Sequence, residues 1–300
     1  MGIVVGDGSL GHDFVWDGDG MLMHWSRPAG AAAVYLAACA YSNRARRGHS
    51  ASATAIKSTP SAPAPAIVAV FAIIHNAALV CFSAFVWVRA GGHFAVELSR
   101  VGLRDILCPP PLPTKVPPPP LSGCLHFWCY VFYLSKYYEM VDTLVLIARR
   151  KRVILLHALH HAFIPLTMCI LFEGRNAVSL IGLGCINSFV HVVMYGYYLS
   201  SDLGYAPSLA WKRNITRLQI AQFSTGVAGG TYYWTRYFDG LHVTQWWPRP
   251  GLEYTEGCAG GEPTTVLIGF LSNLGLLGMF VSFYVRTYYG GGRSRATKAA

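Results

Sequence analysis

The chain has 300 residues, 53% of them hydrophobic and only 13% charged. Soluble domains carry about 25% charged residues, so this composition, with its positive mean hydropathy, excludes an ordinary soluble domain and predicts an integral membrane protein. The net charge of +10 does not point to nucleic acid, because the basic residues gather at the ends of apolar segments, where they set membrane orientation.

Residues 1–28 are acidic and Gly-rich. They lack the basic stretch followed by an apolar run that marks a cleavable signal peptide. Apolar runs then predict helical spans over 29–43, 65–89, 124–148, 153–172, 177–200, 207–229 and 264–289, near the length a bilayer requires. Run 29–43 is short. With it there are seven spans; without it there are six and the N-terminus changes side. The expected fold is therefore all-α integral membrane, with a lumenal segment 1–28, a membrane-embedded domain 29–289 and a cytosolic tail 290–300.

In the seven-span arrangement, 14 basic residues fall on one side, among them Arg44, Arg149, Arg150, Lys151, Arg152, Lys212 and Arg213. Eight fall on the other, including Arg89, Arg100, Arg104 and Arg236. The richer side is assigned to the cytosol. The segment CPPPLPTKVPPPP in the expected loop 90–123 reads as a stiff polyproline spacer. Cys108 precedes it and Cys258 lies in the loop 237–262. Both loops face the expected oxidising side, so a Cys108–Cys258 bridge and two free thiols are both open. The eight cysteines include no CxxC pair, so no zinc framework is expected. Asn214-Ile-Thr216 is a glycosylation sequon, but it falls at the cytosolic edge, where no glycan is expected.

Ionisable side chains inside these apolar runs are costly and mark sites by default. His157, His160 and His161 fall within an arc of roughly 100° on their helix. Lys136, Glu139 and Thr143 share one face of the third span, with Asp142 to one side. Asn187, His191, Met194, Tyr195 and Tyr198 form one stripe on the fifth. Thr216 and Gln219 point together on the sixth, with Gln222 beside them. His160 lies roughly 10 Å, and Glu139 and His191 roughly 15 Å, inside the cytosolic boundary. A polar chamber reached from the cytosol, with an apolar tunnel beyond it, suits a substrate with a charged head and a long hydrocarbon tail.

Blander roles exist for each residue. Lys136 and Glu139 can be a neutralising i, i+3 pair, the tyrosines an interfacial belt, and Asn187 and the glutamines interhelical glue. That all of them hold at one depth is the less economical account. A di-iron desaturase or hydroxylase also uses HxxHH boxes, but it needs several and this chain has one. A seven-span receptor or transporter is a further alternative, although no internal repeat is visible. Histidine acid–base or nucleophilic chemistry fits better, since imidazole titrates near neutrality and attacks acyl groups.

Five motifs in order resemble the ELO-type very-long-chain fatty acid elongases. They are His75-Asn76-x-x-Leu79-x-x-x-Ser83, Lys136-x-x-Glu139-x-x-Asp142-Thr143, His157-x-x-His160-His161, the run from Asn187 through His191 to Tyr198, and Thr216-x-x-Gln219-x-x-Gln222-Phe223. The resemblance covers about residues 65–289. It implies seven transmembrane helices, six of them forming a barrel around an acyl-CoA tunnel closed at its lumenal end, and residence in the endoplasmic reticulum. It implies condensation of an acyl-CoA with malonyl-CoA to a 3-ketoacyl-CoA two carbons longer, CO2 and CoA, with no metal and no other cofactor. His160 is then expected as the acyl-accepting nucleophile, with His157, His161 and His191 assisting. Lys136, Glu139, Asp142, Asn187, Tyr195, Tyr198, Gln219 and Gln222 are expected to support them, and Lys212 and Arg213 to meet the CoA phosphates. The NSFVH form and Pro165 resemble enzymes of polyunsaturated or very long chains. Expected partners are membrane lipid, a second copy of the chain, and the reductases and dehydratase of an elongation cycle. The tail RSRATKAA lacks the family's lysine-rich ending, so residence is expected to rest on the spans or on a partner.

Overall fold

The computed structural model describes residues 14–16, 22, 24–53, 65–108, 121–174, 177–239, 241–245, 251–254, 258 and 262–289. The polyproline segment, the tail beyond residue 289 and the acidic residues Asp7, Asp13, Asp17 and Asp19 lie outside them.

An apolar environment offers a backbone no water to bond, so single segments satisfy their own N–H and C=O groups as helices. The described chain forms α1 Ser26–Ala53, α2 Ala66–Leu107, α3 Cys124–Tyr138, α4 Val141–Ala148, α5 Leu155–Glu173, α6 Ala177–Asp202, α7 Leu209–Asp239 and α8 Pro263–Tyr288. By length and composition, α2, α5 and α8 are apolar enough to cross a membrane. The run expected over 29–43 is in fact a 28-residue helix, because apolarity fades into Arg44 and Arg46 before the helix stops.

Two departures from the expected spans matter. The first is in α2, which does not end at Arg89. It continues to Leu107, with a kink at Gly102 whose φ of 82° suits a residue without Cβ. Charged residues end an apolar run there without ending a helix. The second is in the run 124–148, which is interrupted at Glu139 and Met140. Their ψ of −19° and the bonds Asp142 N–H to Glu139 O and Thr143 N–H to Met140 O, both 3.1 Å, form a 3₁₀ turn. At about 120° per residue instead of 100°, three such steps swing Asp142 roughly 60° toward the face of Glu139. Asp142 is therefore not off to one side.

Helix α2 packs on α6 and α3, α5 on α3 and α8, and α7 on α8 and α6. Helix α1 packs on α5. One end of the assembly carries Arg149, Arg150, Lys151 and Arg152 in the α4–α5 turn. At the other, Cys108 and Cys258 form a disulfide, with Cα atoms 4.4 Å apart across 150 residues of sequence. Tyr232, Tyr233, Trp234 and Tyr237 gather around it. Closing so long a loop restricts the unfolded chain, so Cys108→Ser should cost about 2–4 kcal/mol. The measurement is the thermal midpoint in detergent; an unchanged midpoint would show the bridge to be idle.

Short strands complete the fold. β1 Val15–Trp16 pairs antiparallel with β2 Leu121–Ser122. β3 Leu241–Gln245 pairs with β4 Gly251–Tyr254. Next to β1, Phe14 is buried against Phe127 and Tyr130 at 5.9 and 5.5 Å, and Tyr133 donates its hydroxyl proton to the Leu22 carbonyl at 2.6 Å. Part of the N-terminal segment is thereby held on α3.

Candidate functional site

The polar residues singled out in the sequence meet between α3, α4, α5 and α6, toward the basic end. Lys136 and Glu139 are buried, at 4% and 3% exposure. The Lys136 ammonium donates to Glu139 Oε1 at 2.7 Å and to Asn187 Oδ1 at 3.0 Å. Ser135 Oγ donates to the same carboxylate at 3.3 Å, and His191 Nδ1 stands 3.5 Å from it. Asn187 in turn donates to Gln222 Oε1 at 3.3 Å. The chain from Lys136 through Asn187 to Gln222 ties α3, α6 and α7 together at one level.

The 3₁₀ turn delivers Asp142 into a second cluster. His75 Nε2 donates to Asp142 Oδ1 at 2.8 Å and the Tyr195 hydroxyl to Oδ2 at 2.7 Å. His161 Nε2 lies 4.0 Å from Oδ2. An ionised carboxylate only accepts, so His75 Nε2 is the donor in that bond, and its Nδ1 lies 3.2 Å from the Tyr138 hydroxyl. Tyr198 packs against Tyr195 with ring centroids 6.0 Å apart. Asp142→Asn would aim an NH2 at one of these donors. It should cost about 1–3 kcal/mol of stability. The thermal midpoint of detergent-purified protein decides this; a variant within about 0.5 kcal/mol of the parent would make the carboxylate charge irrelevant.

Two histidines of the box are tied into the fold. Thr143 Oγ1 bridges His157 Nε2 at 2.8 Å and the Tyr35 hydroxyl at 2.6 Å, which brings α1 into the site. The His157 and His161 rings are 4.4 Å apart. Pro165 has no N–H to give the His161 carbonyl one turn back.

His160 differs. Its Nδ1 is buried with no hydrogen-bond partner, and among the described residues the ring makes neither hydrogen bond nor ion pair. Rings of His161, Phe223 and Phe280 surround it at 5.3, 6.3 and 6.3 Å. It stands in the wall of a chamber of about 90 Å³, beside Lys136, Asn187 and Gln222. Toward the disulfide end lies an apolar cavity of about 960 Å³, bounded by Trp87, Phe94, Phe189, Tyr232 and Phe270. The chamber and the cavity share Leu171, Leu183, Gly269 and Asn273.

Gln219 reaches Met194 Sδ at 3.4 Å, not the histidines. Lys212 and Arg213 are exposed on the first turns of α7. Arg149 pairs with Asp202 at 2.8 Å, and Asp202 also accepts from Asn76 at 2.8 Å. Among the described residues no three His, Cys, Asp or Glu side chains group as a metal site would require. Sequence reasoning missed Tyr35, which lies on the helix with the weakest apolar signal. It also left His75 in a motif without a partner, although a histidine inside an apolar run is itself a signal.

A sequence profile of the ELO: GNS1/SUR4 family matches residues 20–296. The chain is 37% identical over 170 residues to "Fatty acid elongase sre1" of Dictyostelium discoideum, covering 54% of this chain and 58% of that protein. It is 30% identical over 224 residues to "Fatty acid elongase A" of the same organism, covering 73% of this chain and 72% of that protein. It is 31% identical over 172 residues to "Putative fatty acid elongase 1" of Schizosaccharomyces pombe, covering 57% and 48%. It thus spans about half the length of some of these relatives, 58% and 48% of two of them.

Proposed function

Because the chain belongs to the ELO (GNS1/SUR4) family, we propose that it condenses a long-chain acyl-CoA with malonyl-CoA through a histidine acyl-enzyme. The observation that carries this is His160. The other histidines of the site, His75, His157, His161 and His191, each make a hydrogen bond or stand within 4.0 Å of a carboxylate, whereas His160 faces the chamber uncommitted. An uncommitted imidazole keeps its lone pair available for attack.

In this scheme a ring nitrogen of His160 attacks the thioester carbonyl. The C–S bond breaks, and CoA leaves with the imidazole proton. Malonyl-CoA then loses CO2, and the resulting enolate attacks the acyl-imidazole carbonyl. A C–C bond forms, the C–N bond breaks, and the imidazole regains a proton from solvent. The products are a 3-ketoacyl-CoA, CO2 and CoA. The Lys136–Asn187–Gln222 chain and His191 hold donors near the developing oxyanion. His157 and His161 keep the box in register.

Six helices, α2, α3 with α4, α5, α8, α7 and α6, enclose the acyl tunnel, and α1 packs on α5 outside that ring, reaching the site through Tyr35. The apolar cavity takes the tail of a very long or polyunsaturated chain, and Lys212 and Arg213 meet the CoA phosphates. The reaction sits in the endoplasmic reticulum membrane, and its product passes to a 3-ketoacyl-CoA reductase, a dehydratase and an enoyl-CoA reductase. The test is to incubate purified protein with acyl-CoAs and malonyl-CoA, without reductant and with a chelator, and to follow 3-ketoacyl-CoA by mass spectrometry. Product is expected. Its absence from folded protein, or its dependence on iron, oxygen and electrons, would overturn the proposal.

A further inference from the structure

We propose, building on the condensing reaction just described, that Asn273 selects acyl chains by their unsaturation. Leu171, Leu183, Gly269 and Asn273 belong to the walls of both the His160 chamber and the large apolar cavity. They therefore form the neck through which an acyl tail passes. Three of the four offer only hydrocarbon or backbone. Asn273 offers an amide.

That amide is unlike the other amides of the site. Asn187 accepts from Lys136 and donates to Gln222, and Thr167 and Ser272 satisfy one another at 3.2 Å. Asn273 makes no hydrogen bond among the described residues. Its position is nevertheless built in: a Cβ on Gly226 would lie 2.8 Å from both Nδ2 and Oδ1. The amide lies against α7 backbone that only glycine leaves open.

Height decides what it meets. Thr167 follows His160 by seven positions on α5, roughly 10 Å along the axis. The Thr167–Ser272 contact marks the level at which the neighbouring Asn273 stands. A carbonyl held at His160 is out of its reach, and the amide faces the chain. A saturated tail filling the neck displaces water and leaves the N–H with nothing to bond, which is unfavourable. A cis double bond at that level presents π density to which an N–H donates weakly. Unsaturated chains are thereby favoured over saturated ones of equal length by roughly two- to fivefold, the scale of such a weak contact.

The experiment is a one-pot competition. Full-length protein receives equimolar stearoyl-CoA and γ-linolenoyl-CoA with malonyl-CoA, and the ratio of the two 3-ketoacyl products is read by mass spectrometry. Both substrates compete for the same molecules, so the ratio does not depend on the fraction folded. The parent should favour γ-linolenoyl-CoA. Asn273→Leu should lower that preference roughly two- to fivefold, and Gly226→Ala, which pushes the amide off its seat, should lower it too. Ser272→Ala should leave the ratio in place. An unchanged ratio in both Asn273→Leu and Gly226→Ala, or an equal shift in Ser272→Ala, would overturn the role of Asn273 while leaving the condensing reaction standing. No product from either substrate with the parent protein would overturn the condensing reaction itself.

Discussion

His160→Ala should abolish 3-ketoacyl-CoA formation, by at least roughly 10³-fold, while leaving a folded protein. The asymmetry follows from what His160 does not do. It has no hydrogen-bond or ion-pair partner among the described residues, and its neighbours are the rings of His161, Phe223 and Phe280. Removing it orphans no buried donor or acceptor. The structural cost is that of a small cavity, about 1–3 kcal/mol. Removing His157 is different, because Thr143 then loses the partner it holds at 2.8 Å. Rate and thermal midpoint measured on the same detergent sample separate the two effects. Turnover by His160→Ala at near-parental rate would remove the nucleophile from this site.

Lys136→Met is the prediction with the largest effect on stability. Both members of the Lys136–Glu139 pair have side chains only 4% exposed. The ammonium also bonds Asn187 at 3.0 Å and stands 4.0 Å over the Phe132 ring. Methionine fills much of the same space but leaves Glu139 with Ser135 and His191 alone, at 3.3 and 3.5 Å. A buried carboxylate robbed of its cation costs about 3–5 kcal/mol, a large share of a typical net stability of about 5–15 kcal/mol. Replacing both residues, as Lys136→Met with Glu139→Met, removes the stranded charge and should recover most of that loss. Thermal unfolding of the single and double variants decides the matter. A single variant within about 1 kcal/mol of the parent would mean that the pair is solvated in the folded protein.

The sequence made some features legible because they depend on local period alone. The spacing of His157, His160 and His161 puts them on one helix face, and their rings indeed cluster. Asn187, His191 and Tyr195 share a stripe on α6 and meet Lys136, Glu139 and Asp142 respectively. Other features depend on departures from that period or on tertiary choice. A uniform 100° per residue cannot foresee the 3₁₀ turn at Glu139 that aims Asp142 inward. A hydropathy window ends α2 at Arg89, although the backbone stays helical to Leu107. Tyr35 reaches Thr143 across more than 100 residues of sequence, and no spacing encodes such a pairing. Asn273 reads as one polar residue in an apolar helix until Gly226 and the two cavities are seen around it.

Acyl transfer to His160 is the central claim, and direct detection of the acyl-enzyme tests it. The protein would be mixed with an acyl-CoA in the absence of malonyl-CoA, quenched, digested and sequenced by mass spectrometry. An acyl group on His160, formed with release of free CoA and discharged to 3-ketoacyl-CoA when malonyl-CoA is added, is the predicted result. Product formation on adding malonyl-CoA, with no acyl adduct on His160 and no prior release of CoA, would contradict it, because condensation would then pass directly between two bound thioesters.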